Sequence, residues 1–384
     1  MSYMTLSHWY QMYTSYMTYN FDFTGTQMVI TMKLTSFAYN LYDGTYDYNN
    51  VSKQNNDRKK YAITKLPSLL QFLGYIYNFT CIQAGPAFEY NDYVQNIDGT
   101  IYHKKTNDNK IVLSSPSTII PGLRRLFVGV LALIGHVLLK GYYPLVTERD
   151  GKMIPTLADP IFIASNPPLI RLYKMMLTLL SERYKFYFAW KVAEGSCILG
   201  GFGFEGYNDK GDIIGFAGVE NVDIFAFDLS WNIANMSKAW NKRTQKWLER
   251  YTYSRTGNSL YITYFISALW HGIYPGFYIF FLSLPLVTSI ERLVREKINP
   301  ILIPTFNHKD PTSYPYDIKG ILYAIFGFIS YITIMKYVAQ TFALGSIENC
   351  HRALSSYYYG GHIILVVVYI ILLIVPSARK KKIN

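Results

Sequence analysis

The sequence predicts an all-α protein that crosses a membrane several times. Half of its 384 residues are hydrophobic and only 16% are charged, against about 25% in ordinary soluble domains. Its apolar residues form continuous runs of membrane-spanning length, with basic residues at their flanks. Tyrosine occurs 36 times and counts as polar on hydropathy scales. The mean hydropathy of +0.08 therefore understates how well the chain suits lipid.

Charge and cysteine content narrow the classes of partner. The net charge is +12, and a basic excess can serve nucleic acid, an anionic membrane surface or an anionic substrate. Here the basic residues lie between the apolar runs rather than along one stripe, which favours a membrane over nucleic acid. The three cysteines, Cys81, Cys197 and Cys350, have no spacing typical of a disulfide framework or a metal site.

Candidate spans begin after an N-terminal segment, 1–23, which lacks the basic start and apolar core of a signal peptide. Arg124 and Arg125 precede the clearest early span, as basic residues often do at a membrane surface. Two polar stretches, 43–61 and 91–116, are predicted to be loops, and a basic tail, 377–384, ends the chain. The candidate spans are, in order, 25–40, 66–84, 126–143, 160–180, 184–204, 260–290, 318–343 and 361–376. They amount to roughly six to eight crossings within one membrane domain, 1–384.

His271 is the most informative single residue, because it lies within the long apolar stretch 260–290. An ionisable group at bilayer depth is costly and normally faces the interior of a helix bundle. Burial disfavours the charged imidazolium, so such a histidine is suited to accept a proton. The alternative, a structural histidine hydrogen-bonded to a neighbouring helix, stays open at this stage. His136 and His362 also lie in apolar stretches.

Local chemistry separates His271 from the other two histidines. Ser267 and Tyr274 share its face if the helix is regular. Glycines at 272 and 276 permit close approach of another backbone, and Pro275 can open the helix one turn later. His136 and His362 lack such neighbours and are predicted to be structural.

A second informative stretch is 240–255, WNKRTQKWLERYTYSR. On a helix, its apolar and aromatic residues form one stripe, which predicts an amphipathic helix at the membrane interface. The members of the stripe are Trp240, Thr244, Trp247, Leu248 and Tyr251. Asn241, at the start of this helix, either points inward or caps the helix, and asparagine favours capping strongly. Lys33 and Glu89 are charges in or beside candidate spans, and for Lys33 we expect a side chain that reaches out to the surface.

Five segments together resemble the membrane-bound O-acyltransferases, and specifically their lysophospholipid acyltransferase branch. They occur in the expected order: TGTQMVITMKLTSFAYNLYDG (24–44), LPSLLQFLGYIYNFTCIQAGPAFEYNDY (66–93), AWKVAEGSCILGGFGFEGY (189–207), WNKRTQKWLERYTYSR (240–255) and SALWHGIYPGFY (267–278). The WN block followed by the WHG block is the specific part, and GPAFE points to the glycerophospholipid branch.

The resemblance implies a helical bundle around a catalytic chamber, with His271 as the base and Asn241 as its partner. Acyl-CoA would enter from the cytosol and a lysophospholipid from the bilayer, and no metal or prosthetic group is implied. We expect the substrates to contact Glu89, Trp240, Ser267, Trp270 and Tyr274. The anionic CoA head would face a basic surface to which Lys238, Lys242, Arg243 and Lys246 contribute.

The implied reaction is transfer of a fatty acyl group to the free hydroxyl, at sn-2, of a lysophospholipid. Family members carry helices before the segment that begins here at residue 24, so these helices are expected to be missing or shortened. Three alternatives stay open: another lipid or protein acceptor, a non-catalytic relative, and a transporter that uses the histidine as a proton relay. The head group, the acyl chain and the oligomeric state are not specified by these patterns.

The C-terminal residues Lys381-Lys382-Ile383-Asn384 resemble a dilysine retrieval signal of the endoplasmic reticulum. The alternative is that this basic cluster simply marks the cytosolic side of a last span. Both interpretations place the tail in the cytosol.

Overall fold

The computed structural model describes residues 1–18, 23–47, 56–105, 110–303 and 317–377. These ranges are predominantly helical, which confirms the predicted all-α membrane fold. The helices of eight residues or more are α1 (Ser2–Thr14), α2 (Thr24–Thr45), α4 (Leu69–Ile76), α5 (Tyr90–Ile97), α6 (Ile119–Tyr142), α8 (Pro168–Leu199), α11 (Lys242–Tyr251), α12 (Leu260–His271), α13 (Pro275–Leu293), α15 (Ile318–Leu344), α16 (Ile347–Ser355) and α17 (Gly360–Ile374). The shorter ones are α3 (Asn56–Tyr61), α7 (Pro160–Ser165), α9 (Ile224–Asp228), α10 (Ile233–Ala239) and α14 (Asn299–Leu302).

Two small antiparallel hairpins connect parts of this helical frame. In the first, β1 (His103–Lys105) pairs with β2 (Ile111–Leu113). In the second, β3 (Val146–Arg149) pairs with β4 (Lys152–Pro155). Its two turn residues, Asp150 and Gly151, have φ of 51° and 69°. Positive φ at both positions is what a two-residue hairpin turn requires, and Asp-Gly is a preferred pair there.

Helices α6 and α8 form a long antiparallel pair in which small residues allow close packing. A Cβ on Gly135 would lie 2.6 Å from the ring of Tyr184, and one on Gly122 would lie 2.7 Å from Leu199. Residues later in α6 contact residues earlier in α8, so the two helices are antiparallel. Glycine at such positions brings membrane helices together where a side chain would separate them.

Helix α13 lies at the centre of the C-terminal half and contacts α12, α15 and α17. At its start, the Gly276 amide donates to the Gly345 carbonyl at 2.7 Å. Buried residues of α10, α13, α15 and α17 form one apolar core, which includes Ile233, Val287, Val338 and Leu365.

Three helical stretches are long and apolar enough to cross a membrane: Ile119–Tyr142, Pro275–Leu302 and Ile318–Leu344. Helices α16 and α17, bent by 75° relative to each other, would together make a fourth. By length and apolar composition, the described residues thus offer three or four spans, fewer than the six to eight expected. The stretch 66–84 contains only the short α4. The two stretches 160–180 and 184–204 largely merge into α8, which carries seven charged residues.

The predicted loops also differ from the structure. The stretch 43–61 begins within α2 and ends with α3, and residues 48–55 lie outside the described ranges. The stretch 91–116 contains most of α5 and the first hairpin. The N-terminal segment contains α1. Short polar helices packed on larger ones have little apolar periodicity, which is why the sequence suggested loops here.

Candidate active site

His271 is the last residue of α12, at a break between two helices. Gly272 follows with φ of +140°, in a region that L side chains rarely adopt. Pro275 then begins α13, so the expected opening of the helix after His271 is present. A Cβ on Gly276 would lie 2.1 Å from the Thr341 carbonyl oxygen. The expected close approach of another backbone is therefore present too, and the approaching chain is the end of α15.

Aromatic rings surround the imidazole of His271. The Phe281 ring stacks on it with centroids 5.0 Å apart, and Phe342 meets it edge-on at 5.1 Å. Trp270 and Phe277 complete the group at 4.7 and 6.3 Å. No described residue makes a hydrogen bond to the imidazole, so its nitrogens stay available to a ligand within an apolar setting.

The two other histidines of apolar stretches are hydrogen-bonded between helices. His136 Nδ1 lies 2.8 Å from the Ser181 carbonyl oxygen and joins α6 to α8. His362 lies between Ser283 Oγ at 3.3 Å and Tyr337 Oη at 3.2 Å, which joins α17 to α13 and α15. These hydrogen bonds between helices indicate a structural role for both His136 and His362. His271 does not fit that alternative.

Asn241 is the residue between α10 and α11, with φ of 45° and ψ of 49°. Asparagine is one of the few residues that adopt this left-handed conformation readily. Asn241 occupies the N-cap position of α11, as the alternative expected, but its side chain makes no capping hydrogen bond to that helix. The side-chain amide of Asn241 has no hydrogen-bond partner among the described residues.

A buried ion pair in α8 supports the backbone around Asn241. Lys191 and Glu194 are 2% and 0% exposed, with Nζ and Oε2 2.7 Å apart. Glu194 Oε1 accepts the amide protons of Asn221 and Val222 at 2.8 and 3.2 Å.

The segment 221–223 in turn holds both flanks of Asn241. The Lys242 amide donates to the Asn221 carbonyl at 2.7 Å, and the Asp223 amide donates to the Ala239 carbonyl at 3.0 Å. The sequence analysis missed Glu194 as part of this support. Its signal was a pair of opposite charges three residues apart in the otherwise uncharged last part of α8, residues 186–199.

Asn241 and His271 lie on different helical segments, at the start of α11 and at the end of α12. No hydrogen bond joins them in the described part of the chain. Their helices meet through Trp247 of α11 and Trp270 of α12, whose ring centroids are 6.2 Å apart.

Two of the predicted substrate contacts are packing residues. Trp270 is 5% exposed and its indole N–H donates to the Met28 carbonyl at 3.1 Å. Trp240 precedes α11 rather than lying on it, so the predicted stripe lacks this member. Its ring packs on Trp190 and Phe227, with centroids 4.8 and 4.7 Å away.

Two further predicted contacts lie close to His271 in sequence. Ser267 is buried on α12, one turn before the histidine. Tyr274 lies beyond the end of α12, so it does not share the helical face of His271 as expected. Its hydroxyl accepts the Met17 amide proton at 3.0 Å.

Glu89, the fifth predicted contact, is enclosed by other side chains. Its carboxylate accepts from Asn40 and Tyr251 at 2.9 and 2.8 Å and also pairs with Arg250. Burial raises the pKa of Glu89, against the effect of these partners. The contacts join the segment after Pro86 to α2 and α11.

Lys33 does not reach the surface, so that expectation is wrong. Its side chain is 1% exposed, and Nζ donates to the Tyr75 carbonyl at 2.8 Å and to Cys81 Sγ at 3.1 Å. The Tyr75 and Phe88 rings each lie 5.0 Å from the ammonium. A carbonyl and two aromatic faces together stabilise the buried cation.

The four basic residues expected near CoA divide into two kinds. Lys242 pairs with Glu220 at 2.7 Å, and Arg243 donates to the Ala217 carbonyl at 2.8 Å. Lys238 and Lys246 are exposed and form no ion pair with a described residue.

His8 is a residue that the sequence analysis did not single out. It lies on α1, is 5% exposed, and its Nε2 is 3.2 Å from the Trp270 carbonyl oxygen. The contact joins residues 262 positions apart, and nothing in the local pattern of α1 indicates it.

Comparisons with known proteins agree with the resemblance. A match to the membrane-bound O-acyltransferase family covers residues 9–335. The chain is 33% identical over 312 residues to a lysophospholipid acyltransferase of Schizosaccharomyces pombe, covering 79% of this chain and 58% of that protein. It is 33% identical over 298 residues to the human membrane-bound glycerophospholipid O-acyltransferase 2, covering 74% and 54%.

A third relative is a lysophospholipid acyltransferase of Saccharomyces cerevisiae, 30% identical over 331 residues, covering 79% of this chain and 50% of that protein. The chain thus spans about half the length of the curated relatives it matches. The family match covers most of the chain and agrees with its helical membrane fold. The chain belongs to the membrane-bound O-acyltransferase family.

Proposed function

We propose that this protein transfers a fatty acyl group from acyl-CoA to the free sn-2 hydroxyl of a lysophospholipid. The observation that carries the proposal is the imidazole of His271. It is the only one of the three histidines in apolar stretches whose ring has no hydrogen-bond partner in the described ranges. An imidazole left without a partner in an apolar site is suited to take a proton from a substrate.

The proposed step needs one base and one group that stabilises negative charge. The lysophospholipid hydroxyl oxygen attacks the thioester carbonyl carbon while its proton passes to His271. The tetrahedral intermediate then collapses, the carbon–sulfur bond breaks, and the CoA thiolate takes the proton back from the imidazolium. The acylated phospholipid and free CoA leave, so protons and atoms balance.

Asn241 is proposed as the donor that stabilises the developing oxyanion. The side-chain amide of Asn241 has no hydrogen-bond partner among the described residues. The backbone on both sides of Asn241 is hydrogen-bonded to segment 221–223. A donor held in advance costs little reorganisation when the charge forms. Because no hydrogen bond joins Asn241 and His271 within the described ranges, we propose that the substrates lie between them.

The two substrates are supported by different observations. The acceptor follows from the relatives, whose names specify lysophospholipids or glycerophospholipids. The donor is supported by Lys238 and Lys246, which are exposed beside Asn241 and carry charge suited to the phosphates of CoA. The aromatic rings around His271 favour exclusion of water, which would limit hydrolysis of the thioester.

We place the protein in the endoplasmic reticulum membrane with its C-terminus in the cytosol. The support is the sequence of the tail, Lys381-Lys382-Ile383-Asn384, which lies outside the described residues.

The proposal is tested by an acyl transfer assay on membranes that contain the protein. A panel of lysophospholipids with different head groups is incubated with labelled oleoyl-CoA, and the labelled phospholipid is quantified. We expect transfer by the unmodified chain. We expect His271→Ala and Asn241→Ala each to lower kcat by ~10²-fold or more with unchanged membrane insertion.

His136→Ala and His362→Ala serve as matched controls, because each removes a half-buried histidine that joins helices. Both variants should keep their activity when rates are corrected for the amount of folded protein. Near-normal turnover by His271→Ala would rule out this residue as the base. An inserted, folded wild-type chain that acylates none of the lysophospholipids would contradict the proposed function.

A further inference from the structure

The helix that carries His271 ends with carbonyl groups that have no partner within the helix. The last four carbonyls of any α-helix lack intrahelical donors, and a frayed last turn moves every side chain on it. In α12 this last turn holds both Trp270 and His271. One backbone bond from the Gly272 amide to the Ala268 carbonyl, at 3.1 Å, closes it. The Trp270 carbonyl needs a donor from elsewhere.

His8 provides that donor from α1. A carbonyl oxygen can only accept, so the Nε2 atom of His8, 3.2 Å away, must carry the proton. Side chains that donate to the last carbonyls stabilise a helix C-terminus. The other ring nitrogen, Nδ1, lies 3.6 Å from the position that a Cβ on Gly272 would occupy. His8 therefore lies against the residues on both sides of His271.

The same N-terminal segment also holds the chain beyond the break. The Met17 amide donates to the Tyr274 hydroxyl at 3.0 Å, and the Tyr16 ring packs on the Tyr274 ring at 5.8 Å. Residues 8 and 17 thus contact Trp270 and Tyr274, which bracket the break. Gly272 at its centre has the conformational freedom to move if these contacts are lost.

We infer that His8 is a positioning residue for His271. By fixing the Trp270 carbonyl, it fixes the last turn of α12 and with it the point from which the His271 imidazole extends. The inference rests on the proposed function for its effect on catalysis. Its structural part, the fixing of the last turn, is independent of any reaction.

Two variants at position 8 separate the hydrogen bond from the bulk of the ring. His8→Phe keeps a planar ring but removes the donor. His8→Gln places an amide N–H near the position of Nε2 and keeps the donor. We expect His8→Phe to lower kcat about tenfold while KM for both substrates changes less than twofold. We expect His8→Gln to restore most of kcat.

Amide hydrogen exchange of the peptide that covers 266–276 provides a readout independent of activity. We expect exchange there to rise at least severalfold in His8→Phe and to stay near the wild-type rate in His8→Gln. His362→Phe is the matched control, since it removes another hydrogen-bonded histidine, whose partners Ser283 and Tyr337 lie on α13 and α15. It should leave exchange in 266–276 and kcat unchanged.

The outcomes distinguish this inference from the proposed function. Unchanged exchange in 266–276 in the folded His8→Phe variant would overturn the inference, whatever the enzyme does. Equal loss of kcat in the Phe and Gln variants, with equal loss of folded protein, would also overturn it in favour of simple packing. A wild-type chain without acyl transfer would defeat the proposed function, while the exchange data would still decide whether His8 fixes the turn.

Discussion

Gly276 is the residue at which the backbone near His271 is most tightly packed. A Cβ there would lie 2.1 Å from the Thr341 carbonyl oxygen and 3.0 Å from the Gly345 Cα. Both neighbours are backbone atoms, which cannot turn away as a flexible side chain can. The contact of α13 with the end of α15 therefore depends on the absence of a side chain at this position.

We predict that Gly276→Ala lowers the thermal unfolding midpoint of the detergent-solubilised protein. Overpacking a tight contact costs ~1–3 kcal/mol, because α13 and α15 must move apart. The matched control is Gly141→Ala, since nothing lies within 4 Å of a Cβ at Gly141 in α6. Alanine favours a helix over glycine by about 0.5–1 kcal/mol, so this variant should be neutral or more stable. An unchanged midpoint in Gly276→Ala would mean that the contact is looser than the structure indicates.

Two histidines, His271 and His8, show which residues of the site a sequence can and cannot predict. His271 was recognisable because its informative neighbours, Ser267, Gly272 and Pro275, are adjacent in the chain. His8 was not, because its partner Trp270 is 262 residues away. A hydrogen bond between a side chain and a distant carbonyl leaves no periodic pattern. Trp270 itself matched the family motif, yet its burial shows a packing role that the motif alone does not indicate.

At the scale of elements, α8 is the helix that supports the Asn241 side of the site. Its buried pair, Lys191 and Glu194, holds segment 221–223, and that segment holds the backbone around Asn241. A buried charge that loses its partner is strongly destabilising, whereas replacing both partners by apolar residues is often tolerated. A comparison of the single with the double substitution therefore separates the contribution of the Lys191–Glu194 pair to stability from its contribution to the site.

We predict that Glu194→Leu destabilises the protein by about 3–5 kcal/mol, because the Lys191 ammonium is left buried without its carboxylate. The double variant Lys191→Met, Glu194→Leu should recover much of the unfolding midpoint. It should not recover acyl transfer, since the Asn221 and Val222 amides lose their acceptor and the Asn241 backbone loses its support. Thermal unfolding and kcat are measured on both variants. Full activity in a stable double variant would refute the supporting role of Glu194.

The elements that the sequence predicted well are those in which apolar residues run without interruption. Helices α6 and α15 were both expected. The stretch 260–290 was expected as one span, but it is two helices, α12 and α13, separated by a break after His271. The stretches 160–180 and 184–204 were predicted as separate spans, and Pro167–Pro168 was expected to interrupt the first of them. In the structure Pro168 begins α8 instead of dividing it, as proline in the first turn of a helix readily does. A hydropathy average counts charged residues as polar even where they pair inside the bundle, so it does not indicate that such a helix is buried there.

At the scale of the whole molecule, the helix ends lie on two opposite sides of the helical bundle. The start of α6 lies beside the end of α8, and the Tyr207 hydroxyl donates to the Ser114 carbonyl at 2.7 Å. The end of α6 lies with the end of α15, because Leu145, Leu157 and Leu344 share one apolar core. The end of α17 lies by Lys297, whose Nζ donates to the Leu372 carbonyl at 2.6 Å.

These contacts place the two strands of the first hairpin, the turn at 208–211 and the end of α17 on one side. The second hairpin and Gly345 lie on the other side. On the first side, Lys104 and Lys105 lie in β1, and Arg124 and Arg125 lie near the start of α6. By the positive-inside rule, these basic residues predict that the first side faces the cytosol. The same side holds the Arg125 and Lys242 pairs with Glu220, close to where the proposed acyl-CoA would enter.

This arrangement predicts that α8 crosses the membrane together with α6, although its charges exclude it from the three apolar spans. Epitope tags placed in two exposed turns, at 150–151 and at 209–210, should then lie on opposite sides. In sealed microsomes we expect protease to remove the tag at 209–210 and a C-terminal tag, while the tag at 150–151 is digested only after detergent is added. If α8 instead lay on the far surface, the tags at 150–151 and 209–210 would share one side. Equal protection of those two tags would thus disprove the crossing, and with it the cytosolic position of the residues around Asn241.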